Sequence, residues 1–331
     1  MHDGDTRQVL VAPDSFKGTF TAAQVAAAIG RGLERAGLVP PDLCPVADGG
    51  EGTSTVLLTQ LGGETAGIEA QDPLGRPVKA GYVLLEEGAT AVVEVAEASG
   101  LSLVDPDERD PIAASSYGTG QLVAAAVAGG ARVVLVCVGG SATTDGGKGA
   151  IDAIEEAGGI GSARIVCLCD VRTPFERAPA EFAPQKGASP DQIRELEQRQ
   201  RELARSFPRD PTGVPMTGAA GGLSGGLWAQ YGAKLEPGAP FVLDALDFDE
   251  RMRAARAVIT GEGRMDQTTL SGKIAAEVAT RARQGGVPCY AVVGQNGLDP
   301  FGQRLLDIQE IVEATNVEEL EAAGEKLALG L

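Results

Sequence analysis

The sequence predicts an α/β fold built on parallel β-sheets. Short apolar runs typical of buried strands alternate with segments of helical pattern, an order typical of parallel sheets. The length of 331 residues is about twice that of an ordinary domain, so we expect one large or two medium domains. Hydrophobic residues make up 43% of the chain, enough for a substantial core, and the 46 glycines clearly exceed the ~7% of ordinary domains.

The predicted elements follow one another in β-α-β order. Thr21, with Gln24 three residues on, forms the pattern of a capping box and predicts a helix over residues 21–36. Ser189 before a proline predicts the start of a second helix, over residues 190–207. The other predictions are strands 9–12, 78–85, 91–95, 132–138, 165–168, 257–260 and 290–293, and helices 116–128 and 270–283.

Composition excludes several classes of function. A net charge of −18 and a pI near 4.5 repel nucleic acid and anionic membranes, so neither is expected as a partner. Residues 1–8 are polar without the apolar region of a signal peptide, and the longest apolar runs are too short to span a bilayer; we therefore expect a cytoplasmic protein. The only histidine is His2, which rules out a Ser-His-Asp triad and leaves acid–base chemistry to Asp, Glu, Lys or Tyr.

Five glycine-rich segments follow predicted strands or open predicted helices. Glycine lets backbone N–H groups approach an anion, and the N-terminus of a following helix adds positive charge. The segment after the strand ending at Val138 is the best phosphate-binding loop by this test. The G-x-x-x-x-G-K-[ST] pattern is absent, and no G-x-G-x-x-G opens a helix after the first strand, which disfavours a P-loop ATPase and a Rossmann dehydrogenase. The segments are 14–18 (DSFKG), 47–53 (ADGGEGT), 139–147 (GGSATTDGG), 218–222 (GAAGG) and 260–266 (TGEGRMD).

Lysines and carboxylates stand in or beside these loops. An anionic substrate needs local positive charge in so acidic a protein, and Lys17 and Lys273 are the strongest candidates to supply it. Phosphoryl transfer also uses Mg²⁺, held by one or two carboxylates and the phosphates, and a carboxylate that accepts the hydroxyl proton. The glycine-rich loops contain more carboxylates than these two roles need, so we expect about half of them to be helix caps or turn residues and not metal ligands or bases. The loop carboxylates are Asp14, Asp48, Glu51, Asp145, Asp170, Glu262 and Asp266.

Taken in order along the chain, these motifs resemble the bacterial glycerate kinases. The resemblance runs from about Val9 to Gly294, so it does not depend on one loop. Beyond the five loops, it includes residues 95–101 (VAEASGL), 117–120 (YGTG), 184–188 (PQKGA) and 271–273 (SGK). It implies ATP-dependent, Mg²⁺-dependent phosphorylation of D-glycerate, with 2-phosphoglycerate expected as product ahead of 3-phosphoglycerate. Glycerate and ATP are the implied partners, and a homodimer is compatible with this expectation.

The resemblance also implies two parallel-sheet α/β domains with the active site in the cleft between them. We place the boundaries so that residues 1–75 and 268–331 form one domain and residues 76–267 form the inserted domain. ATP phosphates would be held by the loops at 139–147 and 218–222, specifically by Gly139, Gly140, Ser141, Thr143, Asp145, Gly146, Gly218, Gly221 and Gly222.

The acid and its chemistry would depend on a second group of residues. The implied acid-binding residues are Asp14, Ser15, Lys17, Glu51 and Glu262, and the implied catalytic residues are Lys17, Asp48, Asp266 and Lys273. Asp48 and Asp266 are equal candidates for the general base. Mg²⁺ would be held by Asp48, Glu51 and Asp145.

The chain departs from the family pattern in its middle part. The stretch between Gly149 and Cys169 is much shorter than usual, and Thr144 stands where Asn is more usual. Two alternatives therefore remain open: a kinase of a related small hydroxy acid, and a catalytically silent protein that binds sugar acids as a sensor.

Overall fold

A computed structural model of the protein describes residues 7–331, so His2 lies outside the described residues. The strands are β1 (Val9–Pro13), β2 (Asp42–Leu43), β3 (Glu64–Gln71), β4 (Pro77–Leu85), β5 (Thr90–Glu94), β6 (Val133–Cys137), β7 (Arg164–Cys169), β8 (Lys234–Pro237), β9 (Ala257–Met265), β10 (Cys289–Asn296) and β11 (Ile308–Glu313). The α-helices are α1 (Ala22–Arg35), α2 (Thr53–Leu61), α3 (Val95–Ser99), α4 (Tyr117–Ala128), α5 (Lys148–Glu156), α6 (Ala178–Phe182), α7 (Pro190–Ser206), α8 (Leu223–Tyr231), α9 (Gly238–Ala245), α10 (Phe248–Ala254), α11 (Ile274–Gly285), α12 (Pro300–Leu306) and α13 (Val317–Ala328).

The chain folds into two compact units. The first combines the chain up to Asp48 with Ala239–Leu331, and the second is the continuous segment Gly49–Gly238. These divisions differ from the predicted boundaries at 75/76 and 267/268. Backbone pairing explains the difference: β3 pairs along its whole length with β4 and so belongs to the second unit, whereas β9 pairs with β1 and β10 and so belongs to the first.

The first unit is built on a parallel sheet with strand order β11-β10-β9-β1-β2. Strand β1 is fully buried and β9 is buried from Ala257 to Glu262, as expected for a parallel sheet covered by helices. Helices α1 and α13 pack against each other, α1 on β1 and α13 on β10 and β11, with Leu33 and Leu320 in one apolar core. The capping box predicted for α1 is confirmed, because Thr21 and Gln24 exchange both hydrogen bonds.

The second unit contains a mixed sheet with strand order β3-β4-β5-β6-β7-β8. Strands β5 to β8 are parallel, whereas β3 and β4 add an antiparallel edge that the sequence pattern did not indicate. The predicted α/β fold class is therefore confirmed, with two sheets in which parallel pairs dominate. Carboxyl ends of parallel strands meet at one edge of a sheet, and in open α/β sheets ligands bind there.

The segment of residues 205–215, which is rich in proline and charge, lies within the second unit. The guanidinium of Arg209 lies 4.7 Å from the ring centroid of Trp228 and donates to its carbonyl oxygen at 2.6 Å. This cation–π contact ties the segment to α8. Among residues 7–331, no helix is long and apolar enough to cross a membrane.

Candidate functional site

The first unit holds a cavity of about 400 Å³ at the carboxyl ends of β1, β9 and β10. Most of its lining residues lie in the carboxyl-terminal parts of these strands or shortly after them, as expected for the ligand-binding edge of a parallel sheet. The lining residues are Asp14, Ser15, Phe16, Lys17, Thr19, Asp48, Glu262, Gly263, Arg264, Lys273, Gly294, Gln295 and Thr315. The cavity thus combines cationic and anionic side chains in a space that fits a small charged molecule.

Strand register brings two of the carboxylates to the same edge. Pro13 of β1 pairs with Gly261 of β9, and the N–H of Asp14 donates to the Gly261 carbonyl at 2.8 Å. Asp14 directly follows Pro13 and Glu262 directly follows Gly261, so the two carboxylates lie at the same edge of the sheet. Both side chains are buried, although carboxylates are rarely buried without a partner.

Two lysines lie at this cavity, each near a buried carboxylate. The Lys17 ammonium is 3.6 Å from Asp48, and 67% of the Lys17 side chain is exposed. The Lys273 ammonium is 3.8 Å from Glu262, with 43% of its side chain exposed. Helix α11 begins at Ile274 instead of the predicted residue 270, which makes Lys273 its N-cap residue. The structure thus brings together the predicted residues Asp14, Ser15, Lys17, Asp48, Glu262 and Lys273.

The buried carboxyl groups have perturbed pKa values. Burial is the main cause that raises the pKa of Asp14 to about 7, and the negative charge of Asp48 adds to it, while Lys17 opposes it. Burial also raises the pKa of Glu262, against the lowering effects of a hydrogen bond from Thr269 and of the Lys273 charge. The Thr269 hydroxyl donates to Glu262 Oε1 at 2.8 Å, a contact that the sequence did not predict. A carboxyl group with a pKa near 7 is suited to proton transfer at neutral pH.

Asp266, one of the two predicted bases, does not line this cavity. Its Oδ1 accepts hydrogen bonds from the backbone N–H and the hydroxyl of Thr268, at 2.9 and 2.6 Å. These hydrogen bonds lower the pKa of Asp266, and Arg264 lies 3.2 Å from its other oxygen. Asp266 therefore acts as a turn residue, as about half of the loop carboxylates were expected to do.

The second unit holds a smaller cavity of about 110 Å³ beside the loop that follows β6. Four residues predicted to bind the nucleotide line it, namely Gly139, Gly140, Ser141 and Gly221; the others are Val138, Asp170, Val171, Phe182, Gln185, Lys186 and Ala220. Gly221 has a φ of +65°, and a Cβ atom there would lie 2.0 Å from the carbonyl oxygen of Thr143. Only glycine allows the two loops to approach this closely.

The remaining residues predicted to bind the nucleotide shape the loops instead of lining the cavity. A Cβ atom at Gly146, Gly218 or Gly222 would collide with neighbouring atoms at 2.5–2.6 Å, so these glycines allow close packing. Thr143 is fully buried, and its N–H donates to the Ser141 hydroxyl at 3.0 Å.

Asp145, predicted as a nucleotide and metal ligand, anchors its own loop. Its carboxylate accepts hydrogen bonds from Ser116 N and Oγ, both at 2.8 Å, from Gly147 N at 3.0 Å and from Gly149 N at 3.1 Å. Helix α5 begins at Lys148, so the carboxylate occupies the helix N-terminus that was expected to add positive charge to the phosphate site. The four hydrogen bonds leave Asp145 poorly suited to bind a metal ion.

Glu51 belongs to the second unit, whereas the other residues predicted to bind the acid belong to the first. Its Oε2 would be 3.5 Å from a Cβ atom at Gly140, which places the exposed carboxylate beside the smaller cavity. The neighbouring backbone is held by Glu94 at the end of β5, whose carboxylate accepts from Gly52 N and Ser54 N at distances of 2.7–3.1 Å. Sequence reasoning missed Glu94 because its partners are about 40 residues away.

Comparison with known proteins agrees with the motif order. The sequence model of the glycerate kinase family matches residues 9–158 and 157–328. The chain is 39% identical to a glycerate kinase of Halalkalibacterium halodurans over 87% of this chain and 86% of the relative. It is 34% identical to the glycerate 2-kinase of Escherichia coli over 93% of each chain.

A solved structure agrees as well. The crystal structure of a protein described as putative glycerate kinase 2, from Salmonella typhimurium, superposes with a TM-score of 0.84 at 30% identity and covers 98% of each chain. Family model, relatives and solved structure thus confirm the resemblance carried by the motifs: the chain belongs to the glycerate kinase family.

Proposed function

We propose that this protein transfers the γ-phosphoryl group of ATP to D-glycerate and forms 2-phosphoglycerate. The observation that carries the proposal is the cavity of the first unit, where Lys17 and Lys273 lie beside buried carboxylates at the edge of a parallel sheet. The names of the relatives support glycerate as the acid, and the Escherichia coli relative, a glycerate 2-kinase, supports the 2-hydroxyl as the acceptor.

Lys17 and Lys273 would bind the carboxylate of the acid and the charge of the transferred group. Their distances of 3.6 and 3.8 Å to Asp48 and Glu262 exceed those of strong charge-assisted hydrogen bonds. The Lys273 ammonium can therefore bind an anionic substrate without first breaking a tight ion pair, and the Lys17 side chain is largely exposed at the same cavity. The compact charge of lysine suits this role in a protein with a net charge of −18.

Asp14 is the general base that the geometry supports best, ahead of the predicted Asp48 and Asp266. It lines the acid-binding cavity and its pKa is about 7, so near neutral pH it can accept the proton of the attacking hydroxyl. Asp48 would support this role through its charge and by holding Lys17. In phosphoryl transfer most of the rate enhancement comes from positioning and charge stabilisation, and the base adds to it.

The loops of the second unit would bind the phosphates of ATP. Gly139, Gly140, Ser141 and Gly221 all line the smaller cavity. The turns bring backbone, without intervening Cβ atoms, to the cavity surface, which suits an anion.

The donor atoms of the chain fit Mg²⁺, which is held in kinases by one or two carboxylates together with the phosphates. Glu51 presents an exposed carboxylate beside Gly140, and Asp48 contributes one to the first cavity. Among the described residues there is no group of three or more acidic, histidine or cysteine side chains that could hold a metal by itself. When bound, Mg²⁺ would neutralise the charge that develops on the phosphates.

A coupled ADP-release assay with Mg-ATP tests this function directly. We expect turnover with D-glycerate, and NMR of the product should show phosphate on the 2-hydroxyl. A panel of other small hydroxy acids separates glycerate from a related substrate, and acid binding without ADP release would indicate a silent sensor. Lys17→Ala should abolish glycerate-dependent turnover. Lys326→Ala is the control and should not, because Lys326 only forms a surface ion pair with Glu310. Wild-type turnover in Lys17→Ala would rule out the role of Lys17. The cytoplasmic location and the homodimer stay predictions from the sequence.

A further inference from the structure

Lys186 is a buried lysine that the proposed chemistry has not used. It ends the 3₁₀ helix Pro184–Lys186, lines the smaller cavity of the second unit and is only 3% exposed. Its ammonium donates one hydrogen bond, to the Thr143 carbonyl oxygen at 2.5 Å. An ammonium group carries three N–H donors, so two of them have no acceptor among residues 7–331.

The charge of Lys186 has no adjacent counterion in the described chain. The negative charge of Asp145 acts on Lys186 and raises its pKa, but the Asp145 carboxylate already accepts four hydrogen bonds. Asp170 lines the same cavity, and Arg109 and Asp110 line a small neighbouring void that Lys186 also borders. Neither aspartate forms an ion pair with Lys186 in the described part of the chain, and Arg109 is itself a cation. A buried cation in this situation is costly, and burial accordingly lowers the pKa of Lys186 to about 8.

The surroundings of Lys186 suit an anion that carries several acceptor oxygens, such as a phosphate. The cavity is bordered by Gly139 and Gly140, whose backbone N–H groups donate to no acceptor within the described part of the chain. Asp145 already occupies the N-terminus of α5, so that helix cannot supply the positive charge expected for the loop. A cation beside two available N–H groups and no adjacent counterion forms a site for an anion with several acceptor oxygens.

We propose that the ammonium group of Lys186 binds a phosphate oxygen of ATP in the smaller cavity of the second unit. This inference depends on the proposed function, because it assigns the anion to the nucleotide. The phosphate would accept the two remaining N–H groups and supply the counter-charge. The role also explains why a lysine is buried here, where an apolar side chain would cost less.

A consequence of this arrangement is that nucleotide binding takes up a proton. Near pH 8 about half of the free protein holds Lys186 in its neutral form, because its pKa is about 8. A phosphate oxygen beside the amine raises that pKa, so binding should draw up to about half a proton per nucleotide from the buffer at this pH. An arginine at the position stays charged at all accessible pH values and should remove this uptake.

Isothermal titration of the full-length protein with a magnesium complex of a non-hydrolysable ATP analogue, in two buffers of different ionisation enthalpy, tests the role. We expect proton uptake by the wild type near pH 8 and its loss in Lys186→Arg. Lys186→Met should weaken analogue binding by roughly tenfold or more and leave glycerate affinity unchanged. Lys148→Met is the matched control, since Lys148 is exposed and paired with Asp152.

Thermal unfolding separates this role from a structural one. Replacing an unpaired buried charge by an apolar side chain should keep or raise the Tm of Lys186→Met. A lowered Tm with unchanged analogue affinity would make Lys186 a structural residue and overturn the inference. If the Met variant does not fold, the wild-type proton uptake decides: equal uptake in wild type and Lys186→Arg overturns the role. Absence of analogue binding to the wild type would instead overturn the proposed function, and this role with it.

Discussion

Asp14 and Asp48 line the same cavity of the first unit, and the charge of Asp48 adds to burial in raising the pKa of Asp14 to about 7. The two residues come from loops about 34 positions apart, joined by the sheet edge. Near neutral pH Asp14 is therefore divided between its protonated and ionised forms. That balance suits a group that accepts a hydroxyl proton and releases it again.

Turnover should report this ionisation. We expect kcat/KM for glycerate to fall as the pH drops below about 7, because protonated Asp14 cannot accept the hydroxyl proton. Asp48→Asn removes a neighbouring negative charge and should move this fall to lower pH. Steady-state kinetics from about pH 5 to 9 measure both effects. Glu318→Gln, at the exposed start of α13, is the control. An unchanged pH of half-maximal kcat/KM in Asp48→Asn would contradict the coupling.

The same ionisation should appear in protein stability. The pKa of Asp14 is raised from 3.8 to about 7, so between these values the folded protein binds a proton that the unfolded chain has lost. The stabilisation is complete below pH 4 and is lost as the pH rises through 7. Asp14→Asn lacks this pH dependence. As the pH rises over this range, the free energy of unfolding of the variant should therefore increase relative to that of the wild type. The gain should reach a few kcal/mol, since one pKa unit corresponds to about 1.4 kcal/mol.

Urea unfolding at a series of pH values between about 4 and 8 measures that gain. The difference between variant and wild type should grow steadily with pH, whatever its value at the acid end. A constant difference would mean that Asp14 ionises in the folded protein as it does in the unfolded chain.

Local signals in the sequence predicted much of the fold. The α1 capping box lies within four residues of sequence, and the apolar run of β6 is bounded by its own glycines. Helix α2 was not predicted because its N-terminal signal is not local. Its N-cap residue, Gly52, has no side chain to cap the helix, and the Glu94 carboxylate at the end of β5 accepts the hydrogen bond instead. Such a tertiary cap leaves no trace in the local pattern.

The candidate site was predictable to a similar extent. Lys17 and Lys273 stood out because lysines are scarce and these two adjoin glycine loops that follow strands. Asp145 was predicted as a metal ligand and Asp266 as a candidate base, and only their hydrogen bonds identify them as an anchor and a turn residue. Lys186 shared the glycine signal, but its burial and its unused donors are visible only in three dimensions.

Gly221 should be intolerant of even one added methyl group. A Cβ atom there would lie 2.0 Å from the Thr143 carbonyl oxygen, and the φ of +65° alone costs a non-glycine residue roughly 1 kcal/mol. Gly161→Ala is the matched control, since its φ is +54° and nothing lies within 4 Å of the new Cβ. We expect Gly221→Ala to lose clearly more stability than Gly161→Ala and to raise KM for ATP.

Denaturant unfolding measures the loss of stability in the two glycine variants, and steady-state kinetics measure their KM for ATP. Equal losses of stability would show that backbone strain alone governs both positions and that the approach of Gly221 to Thr143 has no separate importance.

Asp145 offers a way to separate anchoring from metal binding, because the two roles predict different responses to Mg²⁺. Asp145→Asn replaces a carboxylate that accepts four hydrogen bonds by an amide that cannot accept them all, and should cost roughly 1–3 kcal/mol of stability. If the residue only anchors the loop, the Mg²⁺ concentration for half-maximal rate should stay unchanged while KM for ATP rises. Glu51→Gln should instead raise the Mg²⁺ concentration for half-maximal rate and leave stability unchanged, since the exposed Glu51 carboxylate accepts no hydrogen bond in the described chain.

Titration of the rate with Mg²⁺ at fixed ATP distinguishes the two carboxylates, with Asp152→Asn on the exposed side of α5 as the control. An increased Mg²⁺ requirement in Asp145→Asn without loss of stability would restore Asp145 as a metal ligand. It would also mean that the hydrogen bonds around its carboxylate rearrange when the nucleotide binds. The anchoring role instead requires that stability and KM for ATP change together, because the loop proposed to bind the phosphates is the one that Asp145 fastens to Ser116.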